Sequence, residues 1–354
     1  MSIEKILSEK KPLIDEVIEK YIPRKLDDRS MEFICGKTKY EYNIEACQKT
    51  IADPIWELLD RGGKRWRPTL FLLVAEALKG DMKKIRDFLI IPEVVHEGTL
   101  MIDDIEDSSE LRRGKPCTHK IFGEDIAINA GNAMYYLPLL PFIKNKDKID
   151  SETLAKAYNI YAQEMINISF GQGMDIAWHR GLADADNITE KEYMQMCAFK
   201  TGTLARMSAK LAAVLSNADN DITEKLGEFA ESLGVAFQIR DDILDISAPE
   251  NIGKEFGNDI KEGKRTLMVI HALQNANEND KKRLVEILNK HTDNIEERKE
   301  AIGIIKRYNS VEYAKGVAKK IVNESWNKID EILPDSDAKR NLKAFANFVI
   351  EREF

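Results

Sequence analysis

The chain is poor in cysteine, has no excess of positive charge and carries no long apolar run, and each lack closes a class of answers. Its 354 residues include four cysteines, Cys35, Cys47, Cys117 and Cys197, scattered with no CxxC pair. That spacing offers neither a zinc site nor a disulfide framework and fits a reducing cytoplasm. The net charge of −8 lacks the basic face of a general nucleic-acid binder, so no nucleic-acid partner is expected. No segment approaches the roughly 18 uninterrupted apolar residues of a membrane-spanning helix. The longest greasy stretch, 135–143, is broken by Pro138 and Pro141. The opening Met-Ser-Ile-Glu-Lys has mixed charge and no apolar core of signal-peptide type, so a soluble cytoplasmic protein without a transmembrane segment is expected. His119, His179, His271 and His291 show no metal-ligand spacing. Two nucleotide-binding look-alikes also fail. Gly36-Lys37-Thr38 ends like a P-loop, but Met31 stands where the leading glycine belongs. Gly171-Gln172-Gly173 lacks the third glycine of a dinucleotide fingerprint and lies inside a helical pattern.

What the chain does have is one acidic pattern written twice. Asp103-Asp104-Ile105-Glu106-Asp107 and Asp241-Asp242-Ile243-Leu244-Asp245 each sit in an apolar, helix-patterned stretch. On a helix the first and fifth residues share a face, so Asp103 and Asp107 point together, as do Asp241 and Asp245. Like charges at that spacing weaken a helix by a few tenths of a kcal/mol. At ordinary aspartate usage one such pattern arises by chance in about one chain of this size in ten, and two in well under about one in a hundred. Clustered carboxylates beside apolar runs suit Mg²⁺, which keeps several waters and shares its other positions with substrate phosphates.

The remaining pattern reads as helix after helix, without convincing strand alternation. Asp53-Pro54 reads as an N-cap and first-turn proline, and the run that follows ends at Gly62-Gly63. Pro68 opens a helix that stops at Gly80. Pro92 opens another that runs into the first acidic pattern and exits at Arg112-Arg113-Gly114. Carboxylates at a helix C-terminus face the negative pole of the macrodipole and call for a cation. A capping box, Thr189 with Glu192, starts a helix towards Lys200, and residues 225–246 form one that ends in the second acidic pattern. A loop rich in Gly, Lys and Asp follows, and the last third is polar and helical by spacing. The expectation is a single all-α domain, 1–354, with a central antiparallel bundle, an N-terminal helical extension over 1–50 and a core over about 50–270.

Basic residues lie beside these carboxylates. Gly62-Gly63-Lys64-Arg65-Trp66-Arg67-Pro68 puts three cations on a glycine-loosened turn before a helix N-terminus, a setting that suits a diphosphate. Arg112-Arg113 lies five residues past the first acidic pattern, and His96 lies two helical turns before Asp103 on the same face.

In this order the motifs resemble those of the trans-isoprenyl diphosphate synthases. The resemblance covers Gly62-Gly63-Lys64-Arg65-x-Arg67-Pro68, then His96 through Asp107 to Arg112-Arg113-Gly114, Gly171-Gln172-x-x-Asp175 and Lys200-Thr201-Gly202. Phe237-Gln238-x-x-Asp241-Asp242-x-x-Asp245 and the loop from Gly253-Lys254 to Gly263-Lys264-x-Thr266 complete it. It implies an isoprenoid synthase-type helix bundle around a cavity, a homodimer, and head-to-tail extension of an allylic diphosphate (dimethylallyl, geranyl or farnesyl) by isopentenyl diphosphate. By that resemblance Lys64, Arg67, His96 and Arg113 hold isopentenyl diphosphate. Asp103, Asp107 and Asp241, with Asp245 in support, hold Mg²⁺, three ions per active site, on the allylic diphosphate. Arg112, Lys200, Lys254 and Lys264 contact that diphosphate, Thr201 and Gln238 lie beside the reacting carbon, and Asp104 and Asp242 belong to the same catalytic patterns. Two rivals are a class I terpene cyclase, which lacks the Gly-Gly-Lys-Arg turn, and a non-catalytic regulatory subunit, which loses acidic residues.

The resemblance also places a product tunnel along the helix before Asp103. Thr99 and Gly98, four and five residues upstream, carry no aromatic ring, which implies an open first floor and a geranylgeranyl product, with longer polyprenyl or farnesyl as alternatives. A deeper floor could come from Val95, Ile91, Tyr135 or Tyr136, although ordinary core packing is the favoured reading of these residues.

Overall fold

The computed structural model describes residues 3–247 and 256–351. The chain is helical nearly throughout and divides into two compact units. Unit 1 holds 1–160, 207–223 and 334–342, and unit 2 holds 161–206, 224–333 and 343–354.

Unit 1 is built on α1 (Ile3–Tyr21), α2 (Asp53–Asp60), α3 (Trp66–Ala77), α4 (Ile90–Glu106) and α5 (Glu124–Tyr136). Helix α3 is apolar on every side and accordingly buried all round, from Arg67 to Ala75. Helix α4 buries Ile90, Ile91, Val94, Val95 and Met101. It meets α5 through two glycines: a Cβ on Gly98 would stand 2.8 Å from Met134 Cβ, and one on Gly131 would stand 2.8 Å from Ile102 Cδ1. The N-terminal helix is part of this core. It buries Ile6, Ile14, Val17 and Ile18, and Tyr21 donates to Asp87 at 2.8 Å while Lys20 pairs with the same carboxylate at 2.7 Å.

Helix boundaries follow the sequence signals closely, with two differences. Asp53 is not an N-cap, because helix already runs from Ile44, through a π turn at Gln48–Ala52, into α2. Pro54 lacks an N–H and would press on a carbonyl one turn back, and the wider turn relieves both. After the first acidic pattern the chain forms a minimal hairpin, β1 (Leu111–Arg112) against β2 (Lys115–Pro116). Its two turn residues, Arg113 and Gly114, have φ of 52° and 76°, as a two-residue hairpin requires. Glu124–Lys144 is the one stretch among the described residues long and apolar enough in composition to cross a membrane. It is three successive helices interrupted at Pro138 and Pro141, and its inward face is buried in unit 1.

Unit 2 contains the end of α6 (Ser151–His179), α7 (Glu190–Cys197), the start of α8 (Thr203–Leu215) and most of α9 (Asn220–Ser247). It also holds α10 (Leu267–Asn275), α11 (Glu278–Lys290), α12 (Ile295–Arg307) and α13 (Ser310–Asp330). The capping box of Thr189 with Glu192 opens α7 as its sequence indicates. Between α7 and α8 the helix widens into a π turn, Ala198–Gly202, which carries Lys200 and Thr201. Glycines let two helices close on that turn. A Cβ on Gly171 would stand 2.3 Å from the Lys200 backbone nitrogen, and one on Gly234 would stand 2.6 Å from Gly202 Cα.

Candidate active site

In unit 1 the first acidic pattern closes α4, with Asp107 as its C-cap donating N–H to the Asp103 carbonyl at 2.9 Å. Asp103 and Asp107 therefore stand one turn apart and are part-exposed, whereas Asp104 turns inward and is buried. Arg112 Nε donates to Asp104 Oδ1 at 2.8 Å, and Arg112 Nη2 lies 3.8 Å from Asp103. Arg61 pins the hairpin from below, donating to the carbonyls of Arg112 at 2.9 Å and Pro116 at 2.7 Å.

The glycine turn before α3 presents Lys64 outward and buries Arg65 and Arg67. His96 faces this basic group. Burial, and the charges of Arg67, Arg113, Arg112 and Arg65, hold its imidazole well below the usual histidine range, so it is neutral and can donate a hydrogen bond to an anion without competing as a cation.

Of the positions expected to set chain length, Thr99 is half-buried, with its hydroxyl on the His96 carbonyl at 2.7 Å, and Val95 is buried. Two differ from expectation. Gly98 is not open space but the contact point with α5, where Met134 and Tyr135 occupy the room a side chain would need. Tyr136 is 71 % exposed on the outer face of α5 and cannot floor an interior tunnel of this unit. Tyr135 turns inward instead, and burial with the nearby Glu106 and Asp103 charges pushes its hydroxyl up.

In unit 2 the second pattern closes α9 in different company. Asp242 is buried and accepts from Tyr193 Oη at 2.6 Å and Gln238 Nε2 at 2.8 Å. Gln238 Oε1 in turn accepts from Thr201 Oγ1 at 2.8 Å. Lys200 pairs with Asp175. Burial raises the Asp175 carboxyl, but Lys200 and Lys264 outweigh it and hold Asp175 below the usual carboxylate range. Asp245 accepts the backbone N–H groups of Asn258 at 3.2 Å and Asp259 at 3.0 Å. Burial, then the Asp259 charge, push it up to about 7. Asp241 is part-exposed, 3.9 Å from Arg240. Lys264 pairs with Glu262 and lies 3.6 Å from Asp259. Lys254 lies outside the described residues.

Part of this set lines a narrow cavity of about 50 Å³, walled by Asp175, Trp178, His179, Tyr193, Met196, Lys200, Gln238, Asp242, Lys264, Arg265 and Thr266. Among the described residues no three metal-ligating side chains are already gathered. Each pattern instead offers hard carboxylate oxygens on one helix face, which suits an ion that completes its shell with water and phosphate.

A family model described as polyprenyl synthetase matches residues 48–305. The chain belongs to the polyprenyl synthetase family. It is thus a prenyltransferase of isoprenoid biosynthesis with the all-α isoprenoid synthase fold. The short chain isoprenyl diphosphate synthase of Methanothermobacter thermautotrophicus is 37% identical over 297 residues, 84% of this chain and 88% of that one. The geranylgeranyl diphosphate synthase of Saccharolobus solfataricus is 35% identical over 306 residues, 86% and 91% of the two chains. Among solved structures, the geranylgeranyl pyrophosphate synthetase of Pyrococcus horikoshii superposes with a TM-score of 0.85 at 32% identity, covering 99% and 98%.

Sequence reasoning missed several residues around this chemistry. Tyr193 belongs to no motif, and only its place one turn into a capped helix distinguishes it. Arg61, Glu93 and Glu97 are given no role by the motifs, and burial is what marks them. Gly234 carries no local turn signal, since it serves contact between helices rather than backbone freedom.

Proposed function

We propose that the chain condenses isopentenyl diphosphate with dimethylallyl, geranyl or farnesyl diphosphate by ionisation, condensation and elimination, with geranylgeranyl diphosphate as its main product. The observation that carries the reading is the hydrogen-bond chain from Thr201 through Gln238 and Asp242 to Tyr193, next to the Lys200–Asp175 pair. A reaction through an allylic cation needs fixed dipoles beside the reacting carbon and no nucleophile there. Thr201 and Gln238, each held by its neighbour, meet that need, while Asp242 is occupied by two donors.

In this reading Lys64, Arg67, His96 and Arg113 bind isopentenyl diphosphate, and Arg112, Lys200, Lys254 and Lys264 bind the allylic diphosphate. Asp103, Asp107 and Asp241, with Asp245 in support, are the carboxylates that hold three Mg²⁺ ions. When bound, Mg²⁺ supplies positive charge at the departing diphosphate. Asp104 orients Arg112 and Asp242 orients Gln238. Thr99, Val95 and Tyr135 are the residues that limit chain growth.

We also infer a cytoplasmic homodimer. Ile128 and Tyr136, two turns apart on α5, are exposed along one face of unit 1, and α6 exposes Ile166 and Phe170 one turn apart in unit 2. Exposed apolar rows of this kind mark association surfaces. The four cysteines form no disulfide, in keeping with a reducing compartment.

The test is mass spectrometry of products from purified protein given isopentenyl diphosphate and each allylic primer, with Mg²⁺ or with EDTA. Metal-dependent C20 diphosphate is expected. Hydrocarbons formed without isopentenyl consumption would mean a cyclase, and no turnover with any primer would mean a regulatory subunit.

A further inference from the structure

Unit 1 buries a set of charges that the proposed chemistry leaves unused. Glu93 and Glu97, one turn apart on α4, are 3% and 0% exposed. Arg65, in a left-handed backbone conformation at φ 50°, reaches both: its Nη1 lies 2.7 Å from Glu93 Oε1 and 3.3 Å from Glu97 Oε1. The rest of its guanidinium is engaged by Asp15 at 3.1 Å and the Leu59 carbonyl at 3.1 Å. From the hairpin, Arg113 Nη2 donates to the same Glu97 Oε1 at 2.8 Å, and Arg113 Nη1 donates to the Gly62 carbonyl. A Cβ on Gly63 would stand 3.2 Å from Arg65 Nη1, 3.5 Å from Arg113 Nη2 and 3.6 Å from Glu97 Oε1, so the glycine turn closes directly over this junction.

One buried carboxylate oxygen thus ties together two arginines from separate pieces of chain, and one of those arginines is tied in turn to the glycine turn. A second acid one turn from Glu93 is an expensive way to fill space. Burial and the Glu93 charge push the Glu97 carboxyl up, and its Oε2 has no hydrogen-bond partner among the described residues. Its other oxygen, Oε1, meets both Arg65 and Arg113.

We propose that Glu97 is a positioning residue for isopentenyl diphosphate: through Oε1 it sets the Arg113 guanidinium and the Gly62–Gly63 turn in place before that substrate arrives. The inference rests on the proposed function, in which Arg113 is one of the groups that take this diphosphate. Glu97 itself has no exposed surface and does not touch substrate. Arg65 keeps Glu93 and Asp15 when Glu97 is changed, so the loss falls on Arg113.

Steady-state kinetics with each diphosphate varied in turn tests this. Glu97→Gln keeps the shape and removes the charge. It should raise KM for isopentenyl diphosphate about tenfold, while kcat and KM for the allylic diphosphate change less than about twofold. Glu97→Asp should restore part of the loss. On an Arg113→Ala background Glu97→Gln should add nothing, because it acts through that arginine. An unchanged isopentenyl KM would overturn the proposal, as would effects of the two substitutions that multiply. An equal rise in both KM values with a lowered melting temperature would mean a structural role alone. Should Glu97→Gln fail to fold, Glu97→Asp carries the same test, and an unshifted isopentenyl KM there overturns the proposal equally. If the wild-type protein consumes no isopentenyl diphosphate, the reading of the reaction falls and the inference with it. A wild type that turns over beside an unaffected variant sinks only the inference.

Discussion

The two acidic patterns share a spelling but not an environment. In unit 1 the inward carboxylate, Asp104, is met by the Arg112 guanidinium, which also lies 3.8 Å from Asp103. In unit 2 its counterpart, Asp242, is met by two neutral donors, Tyr193 and Gln238, and Asp245 is met by two backbone N–H groups. The first pattern brings its own countercharge in Arg112. The second is satisfied by hydrogen bonds without being neutralised, so burial pushes Asp242 and Asp245 up. A repeated motif is therefore no sign of a repeated environment: the inward carboxylate of one copy is met by a guanidinium and that of the other by neutral donors.

The comparison can be broken at several points. Asp103→Ala and Asp241→Ala should each lower kcat by about 10²-fold or more at saturating Mg²⁺, since each removes charge stabilisation at the leaving group. Near-full activity in either, measured by initial rates, would remove that pattern from the metal assignment. Arg112→Met leaves the buried Asp104 with only the weak Cys117 thiol as partner, and about 2–3 kcal/mol of stability should be lost, discounted because the arginine is part-exposed. Tyr193→Phe removes a neutral donor and should cost about 1–2 kcal/mol. Chemical denaturation of the two variants compares them directly, and equal losses would erase the distinction drawn between a charged and a neutral partner. Gly98→Ala should destabilise by about 1–3 kcal/mol through overpacking against Met134. A Phe at Thr99 should shorten the product, read by mass spectrometry.

A further effect concerns pH. A carboxyl raised to about 7 in the fold is penalised when charged, so its cost is present above pH 7 and is relieved as pH falls towards the unfolded value near 3.8. Asp245→Asn should therefore raise the melting temperature at pH 8, with an advantage that shrinks steadily below about pH 7 and is gone only near about pH 4. A gain independent of pH would contradict the assignment of that charge.

The helices were legible because their caps and prolines are local: Thr189 with Glu192 opens α7, and Gly62-Gly63 marks the gap before α3. The aspartate patterns were legible because repetition is visible without coordinates. Gly98 was not, because an empty position in sequence and a filled one in space look alike until the facing Met134 is known. Tyr193, Glu93 and Glu97 were invisible for the complementary reason. A polar residue at a helical position reads as solvent-facing, and only its burial against a partner distant in sequence makes it part of a site.

The central claim is that neither pattern holds its metal alone and that diphosphate completes the shell. Mn²⁺ titration followed by electron paramagnetic resonance, with and without an allylic thiodiphosphate that resists ionisation, tests it most directly. The account predicts tight ion binding only with the analogue present, three ions per chain, with fewer after Asp103→Asn or Asp241→Asn. Tight binding in the absence of any diphosphate, or an ion count unchanged in both variants, would contradict it.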